Sequence, residues 1–562
     1  MRGIRILPLL GALAGASAIP AVVPNDPTDE RSSRGGVASE QATCSEIGRN
    51  ALVRGGNAAD ALVAAAICVG VMSPYHTGIG GGGFAIVRDR DGEHEVVDFR
   101  ETAPAAASED MYEGNVQGSI TGGLAVAVPG ELRGLEYIHR KYCELPWKTL
   151  LEPSVHIARE GFKVSEDMVV YMNQAIEDGN FLLHDPAFAE LWAPNGTLLG
   201  VGDTLYRRNY ADTLEKIAEH GAEAFYSGPI AESMISTVQA ANGTMTLADL
   251  RDYRITTRKP LSATYRGYTL NTVGIPASGA VGIGILKTME QYPVEDWFSD
   301  VNVTVHRFSE AMRFAYGARL ELGDPDFVPG AREAEAELMS EKWGRRTKDR
   351  ILDDRTQPVK VYDPREVYTA DGHGTSHMAA VDADGMALSL TGTVNLIFGA
   401  QLMDPATGVI FNNEMNDFSI PGVSNQFGFE PSEANYIRPH KRPLSSITPF
   451  ILSSPTSVIA IGAAGGSRII SATAQSIWHL LEHGMSLPEA VASRRLHDQL
   501  MPNQVTFEEG FDEGTVESMK GRGHETVWVG TRNSAVQGVG NLEEGFVAVG
   551  EPRQVSSGGS TA

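Results

Sequence analysis

The stretch 371-DGHGTSHMAAVDADGMALSLTGTVN-395 decides how this chain folds. It contains two short apolar runs, residues 375–381 and 386–394, on either side of Asp384-Gly385. Asp and Gly tolerate the positive φ that tight hairpin turns require. The pattern therefore predicts a β-hairpin with its turn at Asp384-Gly385.

The register of this hairpin brings two threonines together. Thr375 and Thr393 each lie nine residues from Asp384, so a turn centred there places them opposite one another. Cross-strand partners are about 5 Å apart, within reach of their side chains. Asn395, two residues further along, points to the same face as Thr393. We therefore expect these polar side chains to lie near one another at the open end of the hairpin.

The glycines before the first strand suggest chemistry at Thr375. Gly372 and Gly374 flank His373, and a strained glycine linkage ahead of a threonine leads to the hypothesis that the Gly374–Thr375 bond is cut. A threonine hydroxyl is a poor nucleophile, but the freed α-amine of the same residue, with a pKa of about 7.7–8.0, can take up its proton. An ordinary hairpin after a flexible loop would contain the same glycines, so both interpretations stay open.

Composition and charge limit the classes of protein to consider. The chain has 562 residues, of which 42% are hydrophobic and 21% charged, as in large globular proteins. No proline- or serine-rich linker divides its interior, which favours one large folding unit. The formal net charge of −25 argues against nucleic acid or an anionic membrane surface as a partner.

The N-terminus has the pattern of a secretory signal peptide. Arg2 and Arg5 precede an apolar run over residues 6–14, and Ala16-Ser-Ala18 is a small-residue cleavage site. The pattern predicts cleavage after Ala18 and a secreted protein. The alternative is an uncleaved signal anchor. Only a retained signal anchor would attach the protein to a membrane, because no other stretch of the sequence approaches the ~20 apolar residues that a membrane span needs.

Sequons and cysteines fit the same compartment. Three N-x-[ST] sequons predict glycosylation at Asn195, Asn242 and Asn302. Residues 40–54 and 57–72 predict a helical hairpin, which places Cys44 and Cys68 opposite each other. A disulfide between them suits an oxidising compartment, whereas two buried free thiols are the alternative. Cys143 stays unpaired in either case.

The chain before the hairpin carries few chemical signals. The glycine run 77–84 precedes a strand rather than a helix, so close backbone packing explains it better than a phosphate-binding loop. Arg100 follows a strand end, where it could clamp a carboxylate, although such arginines are often solvated. Residues 130–350 are predicted to be mostly helical scaffold without a catalytic signature. The Ser/Gly-rich tail from Val555 is predicted to be disordered.

Polar groups return after the hairpin. Glu414 and Asp417 are three residues apart, and they precede a proline- and glycine-bearing stretch over residues 421–439. That composition is typical of a mobile surface loop that could cover a pocket. Ser445 and Ser446 follow as adjacent hydroxyls between prolines. Candidate binding residues therefore occur again in this segment.

A strand-to-helix junction comes next. The apolar strand over residues 457–462 runs into Gly465-Gly466 and then into a helix that begins near Arg468. Such a junction directs bare backbone N–H groups to one point, which suits an oxyanion. A tight turn with Ser467 as the helix N-cap is the alternative interpretation.

Taken in order, these segments resemble the γ-glutamyltranspeptidase family of N-terminal-nucleophile hydrolases. Each motif is short, but seven occur in the order typical of that family and span nearly the whole chain after the signal segment. They are TGIGGGGF (77–84), DFRETAP (98–104), GTSH (374–377), TVN (393–395), NNEMNDFS (412–419), RPLSSITP (442–449) and GAAGGSR (462–468).

The resemblance implies an α/β fold, a four-layer αββα sandwich in which two helical layers enclose two β-sheets. It also implies self-cleavage between Gly374 and Thr375 into a large subunit, residues 19–374, and a small catalytic subunit, residues 375–562. The two subunits would form one folding unit. Thr375 is then both the autoprocessing and the catalytic nucleophile, and Thr393 hydrogen-bonds and orients it.

The resemblance further assigns the groups around the nucleophile. Those expected to bind the α-carboxylate of a γ-glutamyl substrate are Arg100, Ser445 and Ser446. Those expected to bind its α-amine are Asn395, Glu414 and Asp417. The backbone groups expected to form the oxyanion hole belong to Gly465 and Gly466. Asn416 stands where many relatives have a second Asp, a departure that is expected to retune the site without abolishing it.

The activity that the resemblance implies is transfer of the γ-glutamyl group of glutathione, through a Thr375 ester, to water, an amino acid or a dipeptide. No metal or organic cofactor is expected, since neither H-E-x-x-H nor paired C-x-x-C occurs. One alternative is another amidase of the class, such as a β-lactam or glutaryl acylase, which the charged residues Arg100, Glu414 and Asp417 disfavour. The other is an unprocessed, non-catalytic protein that binds amino-acid-like ligands, which Gly374-Thr375 disfavours.

Overall fold

The structure is a computed structural model that describes residues 33–176, 179–368, 374–423 and 430–562. The predicted signal peptide, residues 371–373 ahead of the hairpin and residues 424–429 of the predicted loop lie outside the described residues. Within the described ranges, no helix is both long and apolar enough to cross a bilayer.

Strands and helices are distributed along the whole described chain. The strands are β1 Gly35–Ser39, β2 Gly82–Arg88, β3 His94–Asp98, β4 Phe162–Lys163, β5 Thr204–Leu205, β6 Thr256–Arg258, β7 Leu261–Tyr265, β8 Tyr268–Thr272, β9 Val367–Tyr368, β10 Gly374–Asp382, β11 Ala387–Asn395, β12 Glu430–Pro431, β13 Phe450–Ser453, β14 Val458–Ala464, β15 Leu496–His497, β16 Val505–Glu508, β17 Thr526–Val529, β18 Ala535–Leu542, β19 Gly545–Val549 and β20 Gly558–Thr561. The helices are α1 Ala42–Val53, α2 Ala58–Met72, α3 Glu131–Tyr142, α4 Trp147–Glu160, α5 Glu166–Ala175, α6 Phe181–His184, α7 Pro186–Trp192, α8 Arg208–His220, α9 Glu223–Tyr226, α10 Gly228–Ala240, α11 Leu247–Asp252, α12 Gly279–Met289, α13 Glu295–Ser299, α14 Val301–Arg319, α15 Ala331–Leu338, α16 Glu341–Arg350, α17 Val359–Tyr362, α18 Arg468–Glu482, α19 Leu487–Ala492 and α20 Glu513–Gly521.

Two large sheets form the centre of the molecule. One has seven strands in the order β20-β1-β10-β11-β2-β3-β6, and the other has six in the order β19-β18-β14-β13-β8-β7. The sheets stack on each other through β10 and β11 on one side and β14 and β18 on the other. Helices α1, α2 and α3 contact the first sheet, and α12, α18 and α19 contact the second. The predicted four-layer αββα sandwich is confirmed.

The predicted hairpin is the antiparallel pair of β10 and β11. Its register pairs Ser376 with Gly392, as a turn centred on Asp384 requires. The register shifts between Gly374, which pairs with Asn395, and Ser376. Two residues of β11, Thr393 and Val394, therefore lie opposite Thr375, and the extra residue of this β-bulge is on β11. Bulges re-aim side chains and are common next to active sites. The hairpin prediction is confirmed, with this irregularity at its open end.

Alternation along the hairpin sends its side chains into two cores. Ala379 and Val381 belong to the core that the second sheet shares, whereas Met378 belongs to the core with α1 and α2. The two sheets approach closely here, because a Cβ on Gly462 of β14 would lie 2.4 Å from the ring of His377. Both strands are therefore buried on both faces, which explains their nearly continuous apolar sequences.

The predicted helical hairpin is formed by α1 and α2. Asn57 caps α2, and its side chain accepts from two backbone N–H groups of the first turn. Cys44 and Cys68 form a disulfide with their Cα atoms 5.4 Å apart, which confirms the predicted pair. Cys143 is a free, half-buried thiol.

One expectation from the sequence is wrong and another is incomplete. The tail from Val555, expected to be disordered, forms β20, which pairs with β1 from Gly558 to Thr561. Residues 130–350 are mostly helical, but they also supply β6 to the first sheet and β7 and β8 to the second. Pairing with a distant strand satisfies the backbone of these segments, and local composition does not reveal such a partner.

The three sequons differ in exposure. Asn195 and Asn242 are exposed, whereas Asn302 is half-buried. The side-chain oxygen of Asn302 accepts a hydrogen bond from Thr515 Oγ1 at 2.8 Å. Glycosylation at these positions stays a prediction.

Candidate active site

At the start of β10, two hydroxyl groups donate hydrogen bonds to the same carbonyl oxygen. Oγ1 of Thr375 donates to the Gly374 carbonyl at 2.6 Å, and Oγ1 of Thr393 donates to the same oxygen. Thr393 Oγ1 in turn accepts from the Asn395 N–H at 2.7 Å. Both threonines are buried. The peptide bond that is predicted to be cut therefore has a polarised carbonyl and a hydroxyl beside it.

A small cavity adjoins Thr375. Its free volume is about 30 Å³, which is room for about two water molecules. The residues that line it are Arg100, Arg319, Thr375, Thr393, Asn395, Glu414, Asp417, Leu444, Ser445, Ser446, Ile447, Gly466 and Ile469. The structure thus brings together every predicted catalytic and substrate-binding residue except Gly465.

Arg100 is the charged centre of this cavity. Its guanidinium forms ion pairs with Glu414 through Nη1 and with Asp417 through Nη2. Burial by itself lowers the pKa of a guanidinium, but the nearby carboxylates outweigh that effect and raise the pKa of Arg100. Arg100 is 1% exposed, so the alternative of a solvated surface arginine is wrong.

A third carboxyl, that of Glu101, lies against the same guanidinium. Its Oε2 is 3.9 Å from Arg100 Nη1, and its side chain is buried. Burial raises the pKa of Glu101 to about 8 against the opposing effect of Arg100, and it also raises the pKa of Glu414. Three carboxyls thus face one buried cation. Glu101 was not among the residues predicted from the sequence, although it adjoins Arg100.

Ser445 and Ser446 lie in the wall of the cavity. Ser445 Oγ accepts from the Ile447 N–H at 3.2 Å, and Ser446 Oγ accepts from Nη2 of Arg319 at 3.1 Å. Arg319 was not among the predicted residues either, because it lies in the segment interpreted as scaffold. The only local signal was a cation on the last turn of a helix that is otherwise largely buried.

The two asparagines near the site behave differently. Asn395 lines the cavity with a φ of +74°, and its Nδ2 donates to the Asn413 carbonyl at 3.0 Å. Asn416, the departure from the family pattern, donates from Nδ2 to Ser119 Oγ at 2.9 Å and lies outside the cavity lining. Its amide therefore serves local packing rather than the cavity.

Gly465 and Gly466 form the junction between β14 and α18. Their φ values of +126° and +61° favour glycine, and a Cβ on Gly465 would lie 2.5 Å from the Asn533 carbonyl oxygen. Both glycine carbonyls accept from the first N–H groups of α18. Ser467 occupies the N-cap position, but its side chain does not cap the helix. Of the two glycines, Gly466 reaches the cavity wall.

The described end of the predicted loop 421–439 is anchored. Strand β12 pairs with β9, and Lys441 Nζ donates to the carbonyls of Ala434 and Tyr436 at 2.8 and 2.7 Å. The idea that this loop covers the cavity stays a prediction.

A buried polar cluster lies away from the cavity. Ligand atoms of His306, Glu310 and His524 lie within 4.8 Å of one another. The two imidazoles hydrogen-bond each other at 2.9 Å, and Glu310 accepts from Thr356 and Tyr362 at 2.7 and 2.6 Å. Burial lowers the pKa of His306 to about 4 and that of His524 to about 2, so both rings are neutral. These hydrogen bonds account for the cluster as part of the packing around α14.

Comparisons with known proteins agree with this fold and these motifs. The architecture is that of the N-terminal-nucleophile hydrolases. Cephalosporin acylase from Bacillus halodurans matches with a TM-score of 0.83 at 23% identity, covering 98% of this chain and 99% of that one. The sequence model of the family described as Gamma-glutamyltranspeptidase matches residues 44–560. The chain belongs to the γ-glutamyltranspeptidase family.

Relatives within the family are similar over most of their length. Glutathione hydrolase proenzyme of Arthroderma benhamiae is 46% identical over 544 residues, covering 93% of this chain and 92% of that protein. Glutathione hydrolase of Aspergillus flavus is 42% identical over 543 residues, covering 95% and 90%. The structure of Helicobacter pylori γ-glutamyltranspeptidase matches with a TM-score of 0.54 at 32% identity, covering 57% of this chain and 92% of that one.

Proposed function

We propose that this protein is a self-cleaving hydrolase and transferase of γ-glutamyl groups, with glutathione as a donor. The observation that carries the proposal is the placement of the Thr375 and Thr393 hydroxyls on the Gly374 carbonyl, beside a cavity that holds Arg100 and its carboxylates. Its relatives are named glutathione hydrolases, and one 46% identical relative is named a proenzyme, which supports processing from a precursor.

Self-cleavage begins at the Gly374 carbonyl. The Thr375 hydroxyl adds to the carbonyl carbon, while Thr393 donates to the oxygen on which negative charge develops. The C–N bond breaks as the nitrogen takes up a proton, which leaves an ester between Gly374 and the Thr375 oxygen. Water hydrolyses this ester to a Gly374 carboxylate and a free Thr375 amine. The products are the large subunit, residues 19–374 after signal removal, and the small subunit, residues 375–562.

In the mature enzyme, the Thr375 amine acts as the base for its own hydroxyl. The hydroxyl oxygen attacks the γ-amide carbonyl carbon of the donor, the amine takes up the proton, and the leaving amine departs with it. The Gly465 and Gly466 N–H groups stabilise the oxyanion, and such a donor contributes about 2.7–4 kcal/mol in other enzymes. Water, an amino acid or a dipeptide then takes the γ-glutamyl group and regenerates Thr375.

The ion pairs of Arg100 support the choice of a γ-glutamyl group. A substrate head group that has both an α-carboxylate and an α-ammonium can replace the ion pairs of Arg100 with Glu414 and Asp417. Its carboxylate pairs with Arg100 and the two serines, and its ammonium pairs with Glu414 and Asp417. A head that lacks either charge leaves a buried protein charge unpaired, at a cost of roughly 3–5 kcal/mol. A glutaryl head, which has no amine, is therefore disfavoured.

A Thr375→Ala variant tests the nucleophile. We expect the wild type to run as two chains on a denaturing gel, with Thr375 at the N-terminus of the smaller one, and to release glutamate from glutathione. The variant should stay one chain and show no turnover. Ser376→Ala, at the next residue of β10, is the matched control and should behave like the wild type. A wild-type chain that consumes glutathione while uncut, or a Thr375→Ala chain that still cuts itself, would refute the proposal.

A pair of chromogenic amides separates the proposed donor from that of an acylase. The kcat/KM for a γ-glutamyl anilide should exceed that for the matching glutaryl anilide by at least about 100-fold, given the cost of an unpaired buried charge. Equal values would favour the acylase alternative.

The N-terminal pattern and the sequons extend the proposal to a secreted glycoprotein. Cleavage after Ala18 predicts Ile19 as the first residue of the large subunit, which sequencing of the secreted material would reveal. A large subunit that begins at Met1 and stays with the membrane would instead identify a retained anchor.

A further inference from the structure

We propose that Arg319 is a positioning residue for the substrate α-carboxylate, which it serves by orienting Ser446 and the Ser445 peptide. The proposal rests on the proposed function, in which these serines bind the α-carboxylate. Arg319 ends helix α14 of the large subunit, whereas both serines belong to the small subunit. The proposed carboxylate-binding serines and the arginine that orients them therefore lie on opposite sides of the predicted cut.

The contacts of Arg319 reach both serines. Nη2 donates to Ser446 Oγ at 3.1 Å, and Nε donates to Ser278 Oγ at 3.0 Å. Ser278 Oγ in turn donates to the Ser445 carbonyl at 2.6 Å. Arg319 is 6% exposed and lines the same cavity as Thr375. The Arg319 guanidinium thus contacts Ser446 directly and Ser445 through the Ser278 hydroxyl.

The chemistry of these contacts decides what the serines can offer. A guanidinium only donates hydrogen bonds, whereas a hydroxyl has one hydrogen and two lone pairs. Because Ser446 Oγ accepts from Arg319, its hydrogen is available to another acceptor. Ser445 Oγ accepts from the Ile447 N–H, so its hydrogen is available too. Both hydroxyls can therefore donate hydrogen bonds, and a carboxylate requires donors because it only accepts.

A neutral or differently shaped side chain cannot reproduce this arrangement. Arginine presents several N–H groups in a planar fork, whereas lysine is a compact point charge on a flexible stem. Arg319→Lys would keep the charge but could not hold Ser446 and Ser278 in the same geometry. Arg319→Gln would lose the charge as well.

Steady-state kinetics with two donors test the proposal. For a γ-glutamyl anilide, Arg319→Gln should raise KM about 10- to 100-fold, as expected for losing a hydrogen bond from a charged group, with kcat changed less than about 3-fold. Arg319→Lys should fall between it and the wild type. For a 4-aminobutanoyl anilide, which lacks the α-carboxylate, KM should not change. Arg345→Gln, at an exposed arginine of α16, is the control.

A double-mutant cycle shows whether Arg319 acts through Ser446. In a Ser446→Ala background, Arg319→Gln should raise KM much less than it does alone. Full additivity, an unchanged KM, or equal loss on both donors would overturn the proposal. If Arg319→Gln fails to fold or to cut itself, Ser278→Ala, which removes one hydroxyl of the same chain, should raise KM for the γ-glutamyl donor alone. A wild type inactive on γ-glutamyl amides would instead refute the proposed function.

Discussion

At the scale of single residues, the Thr393 hydroxyl links the hairpin to the chemistry. It accepts from the Asn395 N–H and donates to the Gly374 carbonyl. Its single hydrogen is therefore committed to the bond that the chain is proposed to cut. That hydrogen bond strengthens as negative charge develops on the carbonyl oxygen, so it stabilises the transition state more than the ground state.

We predict that Thr393→Val slows self-cleavage about 100-fold, within the range for loss of one oxyanion donor. Valine preserves the shape of threonine but cannot donate. A time course of chain splitting on a denaturing gel measures the rate. Thr391→Val is the matched control on the same strand, because the Thr391 hydroxyl hydrogen-bonds His377 rather than Gly374. Equal rates for the two variants would contradict the prediction.

Glu101 shows how burial couples the site to pH. Its pKa is raised from an ordinary value of 4.5 to about 8, so the folded protein binds this proton more tightly than the unfolded chain does. Between those two values the folded state carries more protons at this position, and stability must fall as pH rises. Above about pH 8 both states are deprotonated and the loss is complete.

We predict that Glu101→Gln removes this part of the pH dependence. Relative to the variant, the wild type should lose a few kcal/mol of stability between about pH 4.5 and 8, since one pKa unit corresponds to about 1.4 kcal/mol. Denaturant unfolding at several pH values measures the difference. Burial also raises the pKa of Glu131 and of Glu310 to about 7, so the comparison with the variant is needed to separate the carboxyls of Glu101 and Glu414 from these two groups. Parallel pH curves would count against the assignment.

At the scale of elements, the α1–α2 hairpin anchors one face of the first sheet. Helix α2 is buried along its whole length and packs on β1, β10 and β11. The Cys44–Cys68 disulfide closes a loop of 24 residues between the two helices. Such a crosslink reduces the conformational freedom of the unfolded chain and leaves the folded contacts in place.

We predict that replacing both Cys44 and Cys68 by alanine lowers the free energy of unfolding by about 3 kcal/mol, the chain-entropy value for a loop of this size. The wild type under reducing conditions should approach the same stability. Cys143→Ala is the control for loss of a half-buried sulfur and should have a smaller effect. Indistinguishable unfolding curves with and without reductant would show that the disulfide does not contribute.

At the scale of the whole molecule, the proposed subunits interleave within both sheets. In the first sheet, β20, β11 and β10 from Thr375 onward belong to the small subunit, while β1, β2, β3 and β6 belong to the large one. Strand β1 lies between β20 and β10, and therefore pairs with the small subunit on both of its edges. In the second sheet, β13 of the small subunit pairs with β8 of the large one.

We predict that the cut chains stay together without a covalent link. They should elute as one species in size-exclusion chromatography under native conditions and separate only in denaturant, because separation would expose strand edges on both sides of β1. The uncut Thr375→Ala chain should elute at the same volume. Elution of two smaller species from native, cleaved material would contradict the interleaved arrangement.

The parts of the site that were predictable are those with a local signal or a family motif. The Asp384 turn placed Thr375 near Thr393, and the motifs singled out Arg100, Glu414 and the two serines. The parts that were missed act across long separations. Arg319 contacts Ser446 from a helix that resembles scaffold, and Glu101 gains its altered pKa only from burial beside Arg100.

Sequence patterns are enough to predict the hairpin with its register from Ser376 onward, the cap on α2, the helical hairpin of α1 and α2, and the glycines at the β14–α18 junction. Each of these depends on neighbours within a few residues, through turn geometry, capping or allowed φ. Three other features are visible only in the folded molecule: β20 lies beside β1, three carboxyls surround the Arg100 guanidinium, and Arg319 hydrogen-bonds Ser446. Those contacts join chain segments far apart in sequence, and they form only when stacking of the two sheets removes their backbone and charged groups from water.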